Sequence, residues 1–526
     1  MDAATPRSFA LFERSKSLSF DKFPIELRMK ITQYLSQFDC LNLMVVNRSC
    51  YMSSLPRLYS SIVIDSKFNF CDTNEIYQSG RTYINSAYNL KRFIKSVHSS
   101  QKNDPFIVEL VCINLPDSFD IYDYTWNTEL ILFFQKLRHL KKLIWINDNF
   151  RLQFLSNLPN KEALTDLVLN IKFSNYLNDC DEVSQWDHLY GNLYFPNITN
   201  FQIMPFHDSL RIRKIINNLL INNNDEEVVS QRLKCLVLKK QCEGDYNYIE
   251  HDSSSSICNI FTKSKLQYLS NLSRLSLIDI NVSSNDGYIL KNSINMKKLR
   301  SLSLTGLIED NVDESSFLLP FALDLINLRC LSLDIRQTYD HIPDFLVTIP
   351  HLDALDITIH LYEDWAEMTK KYVYVLGNFT KLSKLSLDFT QESTSPFVRL
   401  GIPESFCDGV SKLINLRSLR IWCGSNHDHL PDLVAQLPKL TYLDVPRIAK
   451  SLPPFLQYNR MIPGVYFDDM SELRRHALYL FKSNESIKYV RINSSIFECN
   501  DVNVISRDGI SRWFEERVRY VSELGV

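Results

Sequence analysis

The chain has 526 residues, of which 45% are hydrophobic, 12% aromatic and 23% charged. This composition supplies enough apolar side chains for a large core and argues against wholesale disorder. The 58 basic and 61 acidic residues leave a formal net charge of −3, and basic residues stand no more than two together in the sequence. A concentrated basic run of the kind that favours nucleic-acid binding is therefore missing from the sequence, and we expect no nucleic-acid partner.

Residues 1–19 contain only a short apolar cluster, which is too short for the core of a signal peptide. The longest apolar stretch, near Phe317–Ile326, is interrupted by Pro320 and Asp324 and falls short of the roughly 18 residues that span a bilayer. The twelve cysteines never form a Cys-x-x-Cys pair, which favours reduced thiols. We therefore expect a protein of the cytoplasm or nucleus with no membrane segment.

The segment Phe23–Ser54 has the pattern of three short amphipathic helices. Pro24 suits the first turn of the first helix. Asp39 and Asn47 are the predicted N-caps of the second and third helices, and the third should end before Pro56. The apolar residues at helical spacing are Leu27, Ile31, Tyr34, Leu35, Leu41, Met44 and Val45. Helices this short cannot bury their apolar faces alone, so the segment needs a partner protein or caps a repeat array.

A pattern of three apolar residues, L-x-x-L-x-L and close variants, then recurs twelve times, at a mean interval of about 32 residues. The copies begin at Leu140, Leu164, Ile198, Leu233, Leu272, Leu299, Leu328, Leu352, Leu382, Leu416, Leu440 and Ile487. The last two apolar residues of each copy lie two apart and share one face of a short strand. Prolines such as Pro350 end the helices between copies.

Such units bury their apolar faces by stacking, which predicts a parallel sheet on a concave face with helices outside. The alternative is an ordinary α/β domain with leucine-rich strands. Phe106–Ile113 is a degenerate earlier copy, and Tyr59–Asp65 is a candidate capping strand. The polar insertions at 175–194 and 241–258 should be loops. None of the twelve copies has the Asn or Cys that many leucine-rich repeats place three residues after the last apolar position.

Together these features resemble an F-box followed by irregular leucine-rich repeats. The F-box resemblance rests on Phe23-Pro24-Ile25-Glu26-Leu27, Ile31, Tyr34-Leu35, Asp39, Leu41, Leu43 and Val46-Asn47, with Tyr59 where the family usually has tryptophan. The resemblance implies an α/β leucine-rich-repeat solenoid, shaped as a horseshoe, preceded by a small all-α F-box. It divides the chain into an N-terminal tail (1–19), the F-box (20–60), the solenoid (61–505) and a C-terminal cap or tail (506–526).

The resemblance also implies a function. F-box proteins of this kind bind the Skp-family adaptor, which bridges to a cullin and a RING subunit of a ubiquitin ligase, and they recruit an unidentified protein substrate. The adaptor-binding residues would be Phe23, Pro24, Ile25, Leu27, Ile31, Leu35, Leu41, Leu43 and Val46. An F-box scaffold in a complex that is not a ligase, for example one resembling a kinetochore assembly, is the alternative.

The sequence gives no sign of catalysis. Motifs for phosphate binding and for a hydrolase nucleophile are missing from it, and it contains only twelve glycines. His427-Asp428-His429 is the best metal-like cluster, but a polar loop explains it more simply. We expect no catalytic residue, no cofactor and no metal, although an enzyme built on the repeats is a further alternative.

The candidate substrate site lies on the concave face near the C-terminal end. Central strands should present small residues there, including Ser276, Ser303 and Ser386, whereas the last strands present larger ones. The predicted substrate-binding residues are Arg420, Trp422, Tyr442, Asp444, Tyr489 and Arg491, a mixture typical of binding hot spots. The alternative is that the tail after Arg507, with Trp513 and Phe514, folds back and covers them.

Overall fold

A computed structural model describes most of the chain. The described residues are 20–68, 80–99, 106–117, 124–171, 193–206, 210–221, 231–240, 257–262, 266, 268–309, 315–336, 341–349, 351–361, 365–391, 398–399, 404–421, 429–446, 470–500, 503–507 and 510–518. The N-terminal tail, most of the two polar insertions, Trp422, His427 and Asp428 lie outside them.

Three helices follow one another at the N-terminal end, and we call them the helical module: Ile25–Thr32 (α1), Gln37–Met44 (α2) and Arg48–Tyr59 (α3). Asn47 caps α3 as predicted, since its Oδ1 accepts from the Cys50 amide at 2.8 Å. The predicted cap of α2 was wrong by three residues. Ser36 is the cap, and Asp39 in the first turn exchanges hydrogen bonds with it.

The predicted end of the third helix was also wrong, because α3 continues through Pro56 to Tyr59. Proline removes one backbone hydrogen bond from a helix interior. Leu55 and Leu58, on either side of it, are buried, and their packing offsets that loss.

The strands of the described residues form one large sheet. They are Ser61–Asp65 (β1), Thr82–Ile84 (β2), Glu109–Asn114 (β3), Lys142–Phe150 (β4), Asp166–Ile171 (β5), Asn200–Met204 (β6), Cys235–Lys239 (β7), Arg274–Ile278 (β8), Asn281–Val282 (β9), Ser301–Glu309 (β10), Cys330–Arg336 (β11), Ala354–Leu361 (β12), Lys384–Gln391 (β13), Val398–Arg399 (β14), Ser418–Ile421 (β15), Tyr442–Val445 (β16), Tyr489–Ile492 (β17), Ser495–Cys499 (β18) and Val504–Ser506 (β19). Most neighbours are parallel, and β14, β18 and β19 pair antiparallel.

The remaining helices alternate with the strands. They are Ala87–Ser99 (α4), Tyr124–Phe134 (α5), Gln153–Ser156 (α6), Leu210–Leu220 (α7), Cys258–Thr262 (α8), Ser284–Ser293 (α9), Leu319–Ala322 (α10), Ile342–Val347 (α11), Trp365–Leu376 (α12), Glu404–Ser411 (α13), Leu430–Ala435 (α14), Met470–Ser483 (α15) and Ser511–Val518 (α16). Short 3-10 helices occupy Phe20–Lys22, Lys161–Ala163 and Met296–Lys298. Proline occurs in the first turns of α10, α11 and α14, where a missing amide hydrogen costs little.

The last two apolar residues of all twelve predicted copies lie in strands and are buried. They pair with their counterparts in the next strand, as Leu302, Leu331 and Leu355 do. We call the side of the sheet that bears them the core face. Helices pack on this face in a continuous hydrophobic core. This mixed α/β architecture, an open and mostly parallel sheet with helices outside, is compatible with the predicted leucine-rich-repeat solenoid.

One edge of the sheet differs from the prediction. The strand β1, proposed as the cap, lies inside the sheet between β2 and β3, so β2 forms the edge. The side chain of Gln37 closes this edge, because its Oε1 accepts from the Tyr83 amide at 2.9 Å and its Nε2 donates to the Tyr83 carbonyl at 3.2 Å. An edge strand exposes unpaired backbone groups, and Gln37 satisfies both groups of this residue. The same two bonds attach the helical module to the sheet.

Asparagine supports the repeats from a position that the sequence pattern did not indicate. Asn197, Asn271, Asn327 and Asn415 directly precede the first apolar residue of their copies. Each donates its side-chain amide to a backbone carbonyl in the preceding repeat, at 2.6 to 2.8 Å. Turns are thus held by asparagine in these repeats, although not at the position where many leucine-rich repeats have it.

Among the described residues, no helix is long and apolar enough to cross a membrane.

The central strands should carry much of the stability of the sheet. Leu331 is fully buried between Leu302 and Leu355, so Leu331→Ala should lower the free energy of unfolding by about 2–5 kcal/mol. Leu331→Asp should lower it further, because it places an unpaired charge in the core. Urea denaturation measures both effects. Leu323→Asp is the control, since Leu323 is 81% exposed; equal destabilisation by the two aspartates would contradict the assigned core face.

Candidate functional site

The helical module leaves many apolar side chains in solvent and buries several polar ones. Arg28, Thr32, Ser53 and Arg57 are buried. Exposed instead are Ile25, Leu27, Ile31, Tyr34, Phe38, Leu41, Val45, Val46, Tyr51 and Met52. Single exposed apolar residues are common on protein surfaces, but ten within 28 consecutive positions are not. We call these ten side chains the apolar face.

The buried interior of the module is small, and it holds polar groups beside Cys40, Cys50, Leu55 and Leu58. The hydroxyl of Thr32 donates to the Ser53 carbonyl at 3.0 Å, which joins α1 to α3. Burial lowers the pKa of Arg57, a shift that the nearby Cys40 thiol partly opposes. None of the three guanidinium nitrogens of Arg57 hydrogen-bonds to a described residue. The module therefore encloses an uncompensated polar group while large apolar side chains remain in solvent.

The predicted adaptor-binding residues all lie in or beside this module, and none of them is buried. Pro24, Ile25, Leu27, Ile31, Leu41 and Val46 are exposed, whereas Phe23, Leu35 and Leu43 are half-buried. The predicted set left out five residues of the apolar face, Tyr34, Phe38, Val45, Tyr51 and Met52, although Tyr34 and Val45 are each 85% exposed. Their helical positions could be read from the sequence, but the direction in which each helix faces depends on its packing.

On the face of the sheet opposite the core face, the residues change from apolar to charged along the row of strands. At one register position the residues in neighbouring strands are Tyr83, Val63, Val111, Ile144, Val168, Gln202, Val237, Ser276, Ser303, Ser332, Asp356, Ser386, Arg420, Asp444 and Arg491. The row is apolar at one end, has small hydroxyls in the centre and is charged at the other end. The central serines lie on the predicted face, but Ser276, Ser303 and Ser386 are buried rather than open to solvent.

The charged end of the row is a network of ion pairs. Asp444 is fully buried and accepts two hydrogen bonds from Arg491, at 2.9 and 2.6 Å. Arg420 Nε lies 3.4 Å from Asp444 Oδ2, the oxygen that also accepts from Arg491, and Arg420 Nη1 lies 2.8 Å from Asp388. Burial lowers the pKa of Arg420, but the carboxylates of Asp388, Asp444 and Asp356 together outweigh this effect, and the pKa is raised. For Arg491, burial likewise lowers the pKa, but the hydrogen bonds and negative charges of Asp444 and Glu515 together outweigh it and raise the pKa.

The C-terminal helix α16 covers this end of the face. The Trp513 ring packs edge-on against Tyr442 and Tyr489, with centroids 6.1 and 4.9 Å away. Glu515 accepts from Arg491 at 2.8 Å, and the Phe514 ring lies 5.2 Å from the Arg491 guanidinium. The expectation of an open patch is therefore corrected for Arg420, Tyr442, Asp444, Tyr489 and Arg491, because these side chains are engaged with one another or with the tail.

Trp422, the sixth predicted member, lies outside the described residues. A substrate-binding role for the set stays a prediction and would require α16 to be displaced. Of the two possibilities that the sequence left open, the covering tail is the one found.

Hydrogen bonds among a hydroxyl, an imidazole and a carboxylate join three central strands. The sequence analysis did not predict this group of side chains. Thr390 Oγ1 lies 2.7 Å from His360 Nδ1, and His360 Nε2 lies 2.8 Å from Asp334 Oδ1. These residues come from three different repeats, and only the register of the sheet brings them together. His360 is buried, and these two hydrogen bonds connect β11, β12 and β13 on the face of the sheet opposite the core face. Among the described residues, no group of three or more His, Cys, Asp or Glu side chains could hold a metal ion.

No protein-family model and no curated protein matches this chain. Its function has to be inferred from its own surfaces.

The ion-pair network should contribute to stability through its buried member. Asp444→Ala leaves Arg420 and Arg491 facing each other without the carboxylate between them, and should lower the free energy of unfolding by about 3–5 kcal/mol. Glu515→Ala removes a half-exposed partner of Arg491 and should cost less than about 1 kcal/mol. Urea denaturation compares the two variants. Equal losses would show that Asp444 is not the centre of the network.

Proposed function

We propose that this chain is the substrate receptor of a cullin-RING ubiquitin ligase, with an F-box-like module that binds the Skp-family adaptor and repeats that hold the substrate. The observation that carries the proposal is the apolar face of the helical module, where ten apolar side chains are exposed while Arg28, Thr32 and Arg57 are buried. A module of this kind gains stability from a partner that covers its apolar side chains.

The composition of the apolar face supports a protein partner. It contains Tyr34, Phe38 and Tyr51 together with aliphatic residues from all three helices. Aromatic side chains dominate the energetics of protein–protein interfaces, since they bury much area at a low cost in conformational entropy. Of the nine residues that the F-box resemblance assigns to the adaptor, five belong to this face, and Pro24 is exposed beside them.

The way in which the module is attached to the sheet supports the proposal of a receptor that positions its substrate. Gln37 joins α2 to the edge strand β2, and α3 leads directly into β1 inside the sheet. A partner on the module would therefore lie at a defined place relative to the repeats. A receptor of this kind contributes no chemistry; it raises the effective concentration of a substrate lysine near the ubiquitin thioester. The proposal includes no catalytic residue and no cofactor, and it places the protein in the cytoplasm or nucleus.

Introducing negative charge on the apolar face tests the adaptor interface. Leu27 is 47% exposed and Leu41 is 45% exposed, so Leu27→Asp with Leu41→Asp should leave the fold intact. Loss of two central apolar contacts should weaken adaptor binding by about 30-fold or more, as at interface hot spots. Titration of the purified adaptor by calorimetry measures this change.

Leu323→Asp is the matched control, because it makes the same kind of change at the exposed leucine that directly follows α10, outside the module. It should bind the adaptor as the unmodified chain does. Unchanged binding by the Leu27→Asp, Leu41→Asp variant would refute the proposed interface. Adding the cullin to the complex separates a ligase receptor from an F-box scaffold, since only the receptor should carry cullin along with the adaptor.

A further inference from the structure

Basic residues that are scattered in the sequence lie together along one edge of the sheet. The residues just before the strands form a continuous backbone ladder, in which each amide donates to the carbonyl of its counterpart in the preceding repeat. The ladder runs through Lys141, Thr165, Thr199, Lys234, Ser273, Arg300, Arg329, Asp353, Ser383, Arg417, Thr441 and Lys488. Six of these residues are basic and one is acidic. When the repeats stack, a basic residue at this position in one repeat lies in a row with those of the neighbouring repeats.

A groove of about 1110 Å³ follows this edge from β6 to β11, and we call it the basic groove. Its described lining residues are Thr199, Gln231, Arg232, Lys234, Asn271, Ser273, Lys297, Lys298, Arg300, Asn327 and Arg329. Six of them are basic and none is acidic. A smaller groove on the same edge continues the pattern with Lys381, Arg417 and Lys439.

The basic side chains are held by neutral groups. Lys298 donates to the Asn271 side-chain oxygen at 2.5 Å, and Arg232 donates to the Pro196 carbonyl, also at 2.5 Å. In the smaller groove Lys439 donates to Asn415 in the same way, at 2.6 Å. An amide or carbonyl oxygen fixes the position of a cation without cancelling its charge. The asparagines that support the turns therefore also position the basic side chains.

Carboxylates that could neutralise the groove are scarce. Among the described residues, only Arg329 of the six lies within ion-pair distance of a carboxylate, 3.9 Å from Asp353. All six basic side chains are exposed. Since the whole chain has a net charge of −3, this concentration of positive charge is a local feature. Such a groove attracts and orients an anionic partner.

We propose that the basic groove binds an extended acidic segment of a partner protein. Five neighbouring strands spaced about 4.8 Å apart give a length of about 19 Å, which an extended peptide covers with about six residues. Arginine guanidinium groups pair with carboxylates through two hydrogen bonds, and Asn327, Gln231 and Ser273 offer donors and acceptors to a peptide backbone. The described lining contains no aromatic side chain on which bases could stack, which favours a polypeptide over single-stranded nucleic acid.

In the proposed receptor the acidic segment would belong to the substrate. The groove is nevertheless tested without the adaptor, so this inference and the adaptor interface fail separately.

The test uses a fluorescein-labelled peptide of ten glutamates and the full chain, with binding followed by anisotropy. Lys297→Glu with Arg300→Glu should weaken binding by about tenfold or more at low salt, because four units of charge change beside the peptide. Lys370→Glu with Lys371→Glu makes the same charge change at exposed positions on α12 and should have little effect. Raising the salt concentration should weaken binding to the unmodified chain.

Circular dichroism melting checks that both charge variants fold, and the milder Arg300→Gln replaces the groove variant if it does not. Equal affinities of the groove and control variants for the glutamate peptide would overturn the proposal. So would a single-stranded oligothymidylate of equal charge that binds more tightly than the peptide and loses its binding in the groove variant, since the groove would then be a nucleic-acid site.

Discussion

The stacking of one parallel strand on the next is the interaction on which every other feature of this protein depends. Paired leucines such as Leu302 and Leu331 bury the core face, and the backbone ladder fixes the register between repeats. With the register fixed, residues at equal positions in distant parts of the sequence become neighbours. This constraint produces the ion pair of Asp444 with Arg491, the hydrogen bonds through His360 and the basic groove. A slip of one residue in any strand would turn its apolar side chains away from the core and break each of these sets.

The repeats were predictable because the signal is local. Two apolar residues spaced two apart, as Leu331 and Leu333 are, indicate a strand whatever surrounds them, and the recurrence of the pattern predicts stacking. Features that depend on packing were harder to foresee. Continuation of α3 through Pro56 required the burial of its flanking leucines, and the closing of the sheet edge by Gln37 required knowledge of which strand forms that edge. The same limit applies to the C-terminal helix, since only the folded chain places Trp513 on the tyrosines of β16 and β17.

The two candidate interaction surfaces differ in their physical basis. The apolar face of the helical module presents side chains that water solvates poorly, so its binding energy would come from burial of area. The basic groove presents charges held by neutral oxygens, so its contribution would be electrostatic and sensitive to salt. Two hydrogen bonds from Gln37 to Tyr83 and the direct connection of α3 to β1 attach the module to the sheet that carries the basic groove. In the proposed receptor, the apolar face would bind the ligase adaptor and the basic groove would bind the substrate, a division that a positioning receptor requires.

Hydrogen exchange of the full chain, with and without the purified Skp-family adaptor, tests the central claim most directly. The account predicts that backbone amides in Ile25–Tyr59 exchange more slowly when the adaptor is present, because the partner covers all three helices. Amides in the central strands β8 to β13 should exchange at the same rate in both samples. Exchange in Ile25–Tyr59 that is unchanged by a saturating concentration of adaptor would contradict the account, as would protection confined to the repeats.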